Sequence, residues 1–224
     1  MAIDGKPTIA LHHTAPFLVD VFKALLAERL PRVESFHMVD ESLVKEAQRA
    51  GGLTPEVLRR VRIETELARD AGADLVLYTC ATISPAADTL RHEMSVPLLK
   101  IDEPAAERAV ELGERILLIC TSKTAINGVK RVIEDKAAAA GRRASVIAHV
   151  EHEAYAMRRN GDKAGHDRCV VEGAKKLPRD YDVLVLGQAS MAHLAPELEA
   201  ALGVPVLGNT TLCIDAIARH FKKT

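Results

Sequence analysis

The chain has 224 residues, with 30 Lys and Arg against 31 Asp and Glu and a formal net charge of −1. That balance argues against a nucleic-acid partner, which calls for a basic excess, and 3% aromatic residues with no Trp leave little for stacking on bases. Hydrophobic residues at 48% and charged residues at 27% are ordinary globular usage at a length that buries a sizeable core. No apolar run approaches the roughly 20 residues of a membrane span. Asp4 and Gly5 interrupt the start, and the first apolar run, Ile9 to Leu11, is stopped by His12 and His13, so no secretory leader is read. The four cysteines are widely spaced without a CxxC pair, which fits a reduced, cytoplasmic setting.

Short β-type runs alternate with longer helical segments. Thr8 to His13 reads as a buried strand, and Phe17 to Leu30 as a helix ended by Pro31. Phe36 to Val39 is a short strand, and Ser42 to Ala50 a helix closed by Gly51-Gly52. Thr54-Pro55-Glu56 opens another helix, with Thr54 as cap and Pro55 in its first position. Asp74 to Thr79 carries Leu75, Val76, Leu77 and Tyr78 unbroken, the pattern of a parallel strand buried on both faces. Ser84-Pro85 is expected to start a helix, and Val96 to Leu99 a strand.

The same grammar then recurs. Strands are expected at Arg115 to Cys120, Ser145 to Val150, Asp182 to Leu186 and Val204 to Leu207. Helices are expected from Lys123 to Ala140, up to Leu177 with a turn at Asn160-Gly161-Asp162, up to Gly203, and to the C-terminus. A shift of 108 carries Asp74 onto Asp182, Leu90 onto Leu198, Val96-Pro97 onto Val204-Pro205 and Leu99 onto Leu207 without a gap. A shift of 107 carries Ile9 onto Ile116 and Thr14 onto Thr121. The fold class is therefore α/β, as two pseudo-symmetric Rossmann-like halves with mostly parallel sheets. Residues 1–100, with the C-terminal helix 208–224, would form one half and residues 101–207 the other.

Ligands of open parallel sheets bind beyond the carboxyl ends of the strands. Duplicated halves would then set four strand-end loops around an inter-domain active-site cleft: His13-Thr14, Thr79-Cys80-Ala81-Thr82, Cys120-Thr121-Ser122 and Gly187-Gln188-Ala189-Ser190. Their hydroxyl, thiol and amide groups, with backbone N–H groups at helix starts, suit a small anion. Thr210, after the last strand, could join them. Cys80 is the sharpest candidate. At a helix start its thiol would ionise more readily than the ordinary value of about 8.5, and act as a base or nucleophile; the plain alternative is a small buried residue. His193 is a candidate proton donor or a solvated helix residue, and Cys213 a candidate donor or helix packing. Cys120 reads as core and Cys169 as structural. His149 and His152 form an HxxH across a strand end, short of the three or four converging ligands of a metal site, so no metal is assigned. No GxGxxG or GxxxxGK[ST] motif is present, so no nucleotide cofactor is assigned.

Gly72-Ala73-Asp74-Leu75-Val76-Leu77-Tyr78-Thr79-Cys80-Ala81-Thr82 resembles the first cysteine motif of the aspartate/glutamate/hydantoin racemase superfamily. His13-Thr14-Ala15-Pro16 resembles its first loop and Leu117 to Thr124 its mid-chain hydroxyl loop, while Asp182 to Met191 stands where its second cysteine motif would be. The resemblance implies a cofactor-independent enzyme in which two cysteines flank the Cα of a small carboxylate, one removing a proton and the other returning one. Cys80 matches the first cysteine, and Thr82, Thr121 and Ser122 fall in the substrate loops. The second cysteine position holds Gln188, which hydrogen-bonds but does not exchange protons at neutral pH. Three readings stay open. Another group, His193, Cys213 or water, supplies the second proton; or the reaction uses one thiol, as in arylmalonate decarboxylase; or the site binds a carboxylate without turnover. The implied partner is a small-molecule carboxylate, with no nucleic acid or membrane, and analogy suggests a homo-oligomer.

Overall fold

The computed structural model describes residues 6–223. The first five residues, where the leader was sought, and Thr224 lie outside that range. The chain divides into two compact units. One runs to Ile101 and resumes at Ile214; the other is Asp102–Cys213.

In the first unit the strands are β1 (Thr8–His13), β2 (Glu34–Val39), β3 (Leu75–Tyr78) and β4 (Leu98–Lys100), in the order β2-β1-β3-β4, all parallel. The helices α1 (Phe17–Arg29), α2 (Glu41–Ala50), α3 (Pro55–Asp70) and α4 (Ala86–Leu90) fill the crossovers. Leu75 to Tyr78 are all buried, as the unbroken apolar run predicts. The Thr54 hydroxyl accepts from the Val57 N–H at 3.1 Å, with Pro55 opening α3. Gly51 closes α2 at φ 79°, a left-handed turn that costs glycine little. Ala10, Val61, Val76, Ile83 and Leu90 form the core on one side of the sheet. Each large apolar side chain buried there stabilises the fold by about 1.5–3 kcal/mol relative to exposure.

The second unit repeats the plan. Strands β5 (Arg115–Cys120), β6 (Ser145–Val150), β7 (Val183–Leu186) and β8 (Val206–Gly208) lie parallel in the order β6-β5-β7-β8. Around them run α5 (Glu103–Leu112), α6 (Lys123–Ala139), α7 (His152–Arg159), α8 (Lys163–Lys176) and α9 (Ala195–Leu202). The last helix, α10 (Asn209–Lys223), begins in the second unit and passes into the first. Leu117, Val170, Leu184, Leu186 and Leu198 are central to a second core. Among the described residues no helix is long and apolar enough to cross a membrane.

Helix α4 follows Ser84-Pro85 as expected, with Pro85 at its cap, but it has only five residues and is preceded by turns over residues 81–85. Three local features differ from expectation. The short strands before Lys100 and Gly208 begin two residues later than the apolar pattern suggested, because Pro97 and Pro205 offer only carbonyls, to Val76 and Leu184. The segment after β7 opens as turns and a 3-10 turn, Ala192–Leu194, before α9. Helix α5 was not foreseen; its Ala105, Ala106 and Ala109 are buried, and small residues of this kind give a weak apolar signal.

Candidate active site

The strand ends of the first unit carry an ordered polar cluster. Neighbouring strand residues face opposite ways. His12 therefore sits toward α3, with Nε2 2.5 Å from a Glu64 carboxylate oxygen and its ring 5.7 Å from that of Tyr78. The Tyr78 hydroxyl lies 2.6 Å from the Thr65 hydroxyl, which itself donates to the Val61 carbonyl, so tyrosine is the donor. Burial pushes the Tyr78 phenol up to about 12.

His13 takes the other face, against Phe22 of α1. It is fully buried and both ring nitrogens are engaged. Nδ1 lies 2.8 Å from the Thr79 hydroxyl oxygen and Nε2 2.8 Å from Nδ1 of His37, whose ring stacks on it at 5.1 Å. Burial, followed by the neighbouring His37 and His12, lowers the His13 imidazole to about 3. Burial also lowers His37, helped by Lys23 and opposed by Asp20. Both ring nitrogens of His13, which was expected to reach a ligand, are thus taken up by Thr79 and His37. Sequence reading passed over His37, although the pairing of His37 with Leu11 on β1 sets it on the His13 face.

Cys80 follows directly and is half-buried at the end of β3. Its carbonyl accepts from the N–H groups of Ile83 and Ser84 at 3.1 and 2.9 Å, so it opens a turn and not a helix. Helix α4 starts only six residues on, so Cys80 does not sit at a helix N-terminus. Thr14, Thr79, Ala81 and Thr82 around it are buried.

In the second unit the corresponding position is Gln188, half-buried after β7. Its Oε1 accepts from the Thr121 N–H at 2.5 Å and from the Thr121 hydroxyl at 3.0 Å. A backbone N–H only donates, so the oxygen must face Thr121, and the amide nitrogen is the remaining hydrogen-bonding edge. The Ser122 hydroxyl caps α6, accepting from the Ala125 N–H at 3.3 Å. Ala189 and Ser190 are half-buried, and Thr210 is buried at the start of α10. Gly187 leaves room for a neighbour: a Cβ there would stand 2.6 Å from the Cys120 sulfur.

The two candidate second acids, His193 and Cys213, sit in contrasting surroundings. His193 is on the 3-10 turn, its Nε2 2.8 Å from Asp167 and 2.9 Å from the Lys163 ammonium of α8, with 42% of its side chain exposed. Burial would raise Asp167, but hydrogen bonds from Lys163, His193 and His166 outweigh it and hold the carboxyl at about 2. Cys213 is wholly buried, and burial with Asp102 and Glu103 nearby pushes its thiol well up, so it packs as an apolar residue. Cys120 is likewise buried and pushed up by burial and by Asp102. His149 turns to Glu151 at 2.5 Å, within a cavity of about 560 Å³ that also holds Cys169.

The fold has known counterparts. A glutamate racemase from Thermus thermophilus, solved with beta-chloro-D-alanine, superimposes over 97% of this chain and 81% of its own, at a TM-score of 0.73 and 22% identity. An allantoin racemase from Pseudomonas fluorescens superimposes over 96% of this chain and 91% of its own, at a TM-score of 0.64 and 20% identity. In sequence, a glutamate racemase of Gloeothece citriformis (strain PCC 7424) is 30% identical over 112 residues, 49% of this chain. That match spans only 39% of the cyanobacterial protein's length. The family model described as Asp/Glu/Hydantoin racemase matches residues 14–217, and with it this chain belongs to the Asp/Glu/hydantoin racemase family.

Proposed function

We propose that this protein is a cofactor-independent enzyme of the racemase type, using the Cys80 thiol to move a proton at the carbon alpha to a carboxylate or carbonyl of a small substrate. The observation that carries the reading is the half-buried thiol of Cys80 at the carboxyl end of β3, inside a loop of buried threonines. The thiolate takes the α-proton, the electron pair stays on the substrate as an enolate-like anion, and the S–H returns a proton to carbon. Thr14, Ala81, Thr82, Ser122, Ala189, Ser190 and Thr210 are proposed to surround the substrate through hydroxyl and backbone donors, while Thr79 and Thr121, whose donors are taken by the His12 carbonyl and the Gln188 oxygen, shape the site around them. Gln188, held through its oxygen by Thr121, offers amide N–H groups to the developing oxyanion. The protein is proposed to work in the cytoplasm.

A second reading has its own observation. Gln188 supplies a donor where a second thiol would supply an acid, which favours chemistry needing one thiol: exchange on one face, or loss of carbon dioxide followed by protonation from Cys80. Binding of a carboxylate without turnover is the non-catalytic form of the same site. Incubation in deuterated water with aspartate, glutamate, hydantoins, 2-hydroxy acids and malonates, followed by proton NMR, separates them. The proposal expects loss of an α-proton signal that Cys80→Ala abolishes. Retained configuration or released carbon dioxide marks one-thiol chemistry, and inversion marks a second donor. Ligand-induced thermal shifts without exchange would leave binding alone.

A further inference from the structure

We propose that His13 and His37 are positioning residues that hold the Cys80 loop through a directed hydrogen-bond relay ending at Thr79. The inference rests on the reading of Cys80 as the working thiol and adds residues to it. Three side chains from three strands meet on one sheet face. The direction of the relay follows from its fixed end. The Thr79 hydroxyl donates to the His12 carbonyl at 3.0 Å, which uses its only hydrogen. Its oxygen must then accept from His13, 2.8 Å away, so His13 carries its proton on Nδ1. The bare Nε2 of His13 then accepts from Nδ1–H of His37 at 2.8 Å. Each member has one role open to it: His37 donates to His13, His13 to Thr79, and Thr79 to the His12 carbonyl, which accepts.

The relay acts on Cys80 through the backbone. The Thr79 N–H also donates to the His12 carbonyl, at 3.1 Å, so both donors of Thr79 hold the carboxyl end of β1. Thr79 is the final fixed point before the turn that Cys80 opens. The second unit does without this device: Gly187 stands at the equivalent place with no side chain, and Cys120 packs over it. A buried His13 paired with a half-buried His37 is a costly way to fill space compared with leucine, because polar ring nitrogens removed from water need partners. Its presence on the thiol side alone, with both His13 nitrogens bonded although Nε2 of His37 is buried without a partner, points to a demand for geometry there.

The test reads the thiol itself and needs no substrate. The full-length protein is treated with iodoacetamide from pH 5 to 10, and the rate of Cys80 labelling is followed by peptide mass spectrometry. Folding of each variant is checked by circular dichroism. Thr79→Val removes the hydroxyl at similar shape, and His37→Phe removes the donor to His13. His37→Asn sets an amide nitrogen close to where Nδ1 stood and serves as the conservative variant. The expected result is a wild-type midpoint displaced by about half a pH unit or more from the ordinary thiol value of about 8.5, with both breaking variants converging on that ordinary value and His37→Asn keeping the wild-type midpoint. Folded Thr79→Val or His37→Phe protein with the wild-type midpoint would overturn the relay and leave Cys80 as the working thiol. A wild-type Cys80 that does not react at all would overturn both readings.

Discussion

Asp74 and Asp182, 108 positions apart, make the same contact at the amino edges of two sheets. Asp74 accepts the Thr8 N–H at 2.8 Å through Oδ2 and returns its own N–H to the Thr8 carbonyl at 2.8 Å. Asp182 accepts the Arg115 N–H at 2.9 Å through Oδ2 and returns its N–H to the Arg115 carbonyl at 2.7 Å. The register set by this pair persists to the far edge, where the Thr79 and Gly187 N–H groups meet the carbonyls of His12 and Ile119 at 3.1 and 2.9 Å. Cys80 and Gln188 follow, at equivalent positions with different chemistry.

That difference sets the first prediction. Cys80→Ala is expected to lower α-proton exchange by about a hundredfold or more, the usual contribution of a positioned acid or base. Exchange in the variant within a few-fold of wild type, measured by NMR in deuterated water, would remove Cys80 from the chemistry.

Gln188→Cys supplies a thiol at the second position. It is expected to produce the opposite enantiomer of a substrate that the parent protein exchanges with retention, as read by chiral chromatography. Thr121→Val, which removes one of the two donors on the Gln188 oxygen, is expected to weaken turnover with the fold intact.

Alkylation should rank the four thiols by environment. Cys80 is half-buried and is expected to label first. Cys169 is half-buried too, but burial and the adjacent Glu151 raise its thiol, so it should follow more slowly. Cys120 and Cys213, fully buried and pushed up by burial, should label only on unfolding. Mass spectrometry of folded protein near neutral pH checks the order.

Stability should fall on acidification below about pH 6.5. Burial disfavours protonation of His13, His37 and His166 in the fold, against the pull of Asp167 at His166. Their lowered values mean that the unfolded chain binds more protons below its own histidine value of 6.5. For His13 the loss continues down to about 3. Each such proton is worth about 1.4 kcal/mol per pH unit. Asp167, held at about 2, adds a further loss as pH drops below its ordinary 3.8. Urea unfolding at pH 7, 6, 5 and 4 gives the slope, and a folded His13→Gln variant should flatten it by about one proton.

Gly187→Ala is expected to cost about 1–3 kcal/mol, because the new Cβ would meet the Cys120 sulfur at 2.6 Å and a Leu118 methyl at 2.9 Å. Adding Cys120→Ala should recover part of that loss. Thermal denaturation of both variants measures it, and additive losses would exclude this contact as the cause.

The strands, the repeat and the thiol loop were legible in the sequence because each has a local cause. Unbroken apolar runs such as Leu75 to Tyr78 announce buried parallel strands, Thr54-Pro55 announces a helix start, and a duplicated order shows as matches at one shift. Helix α5 was missed because alanines give little periodic contrast. Tertiary structure alone decided what the polar side chains do. His13 turned from a ligand candidate into the middle of a relay because strand pairing brought His37 and Thr79, 24 and 66 residues away, to its two nitrogens. His193 was bound to Asp167, Cys213 was sunk into the core, and Gln188 was turned by Thr121 to offer its amide nitrogen. Propensity and hydrophobic period act over a few residues and can be read along the chain. Hydrogen-bond direction, burial and charge depend on partners distant in sequence, and these appear only when the sheet sets their register.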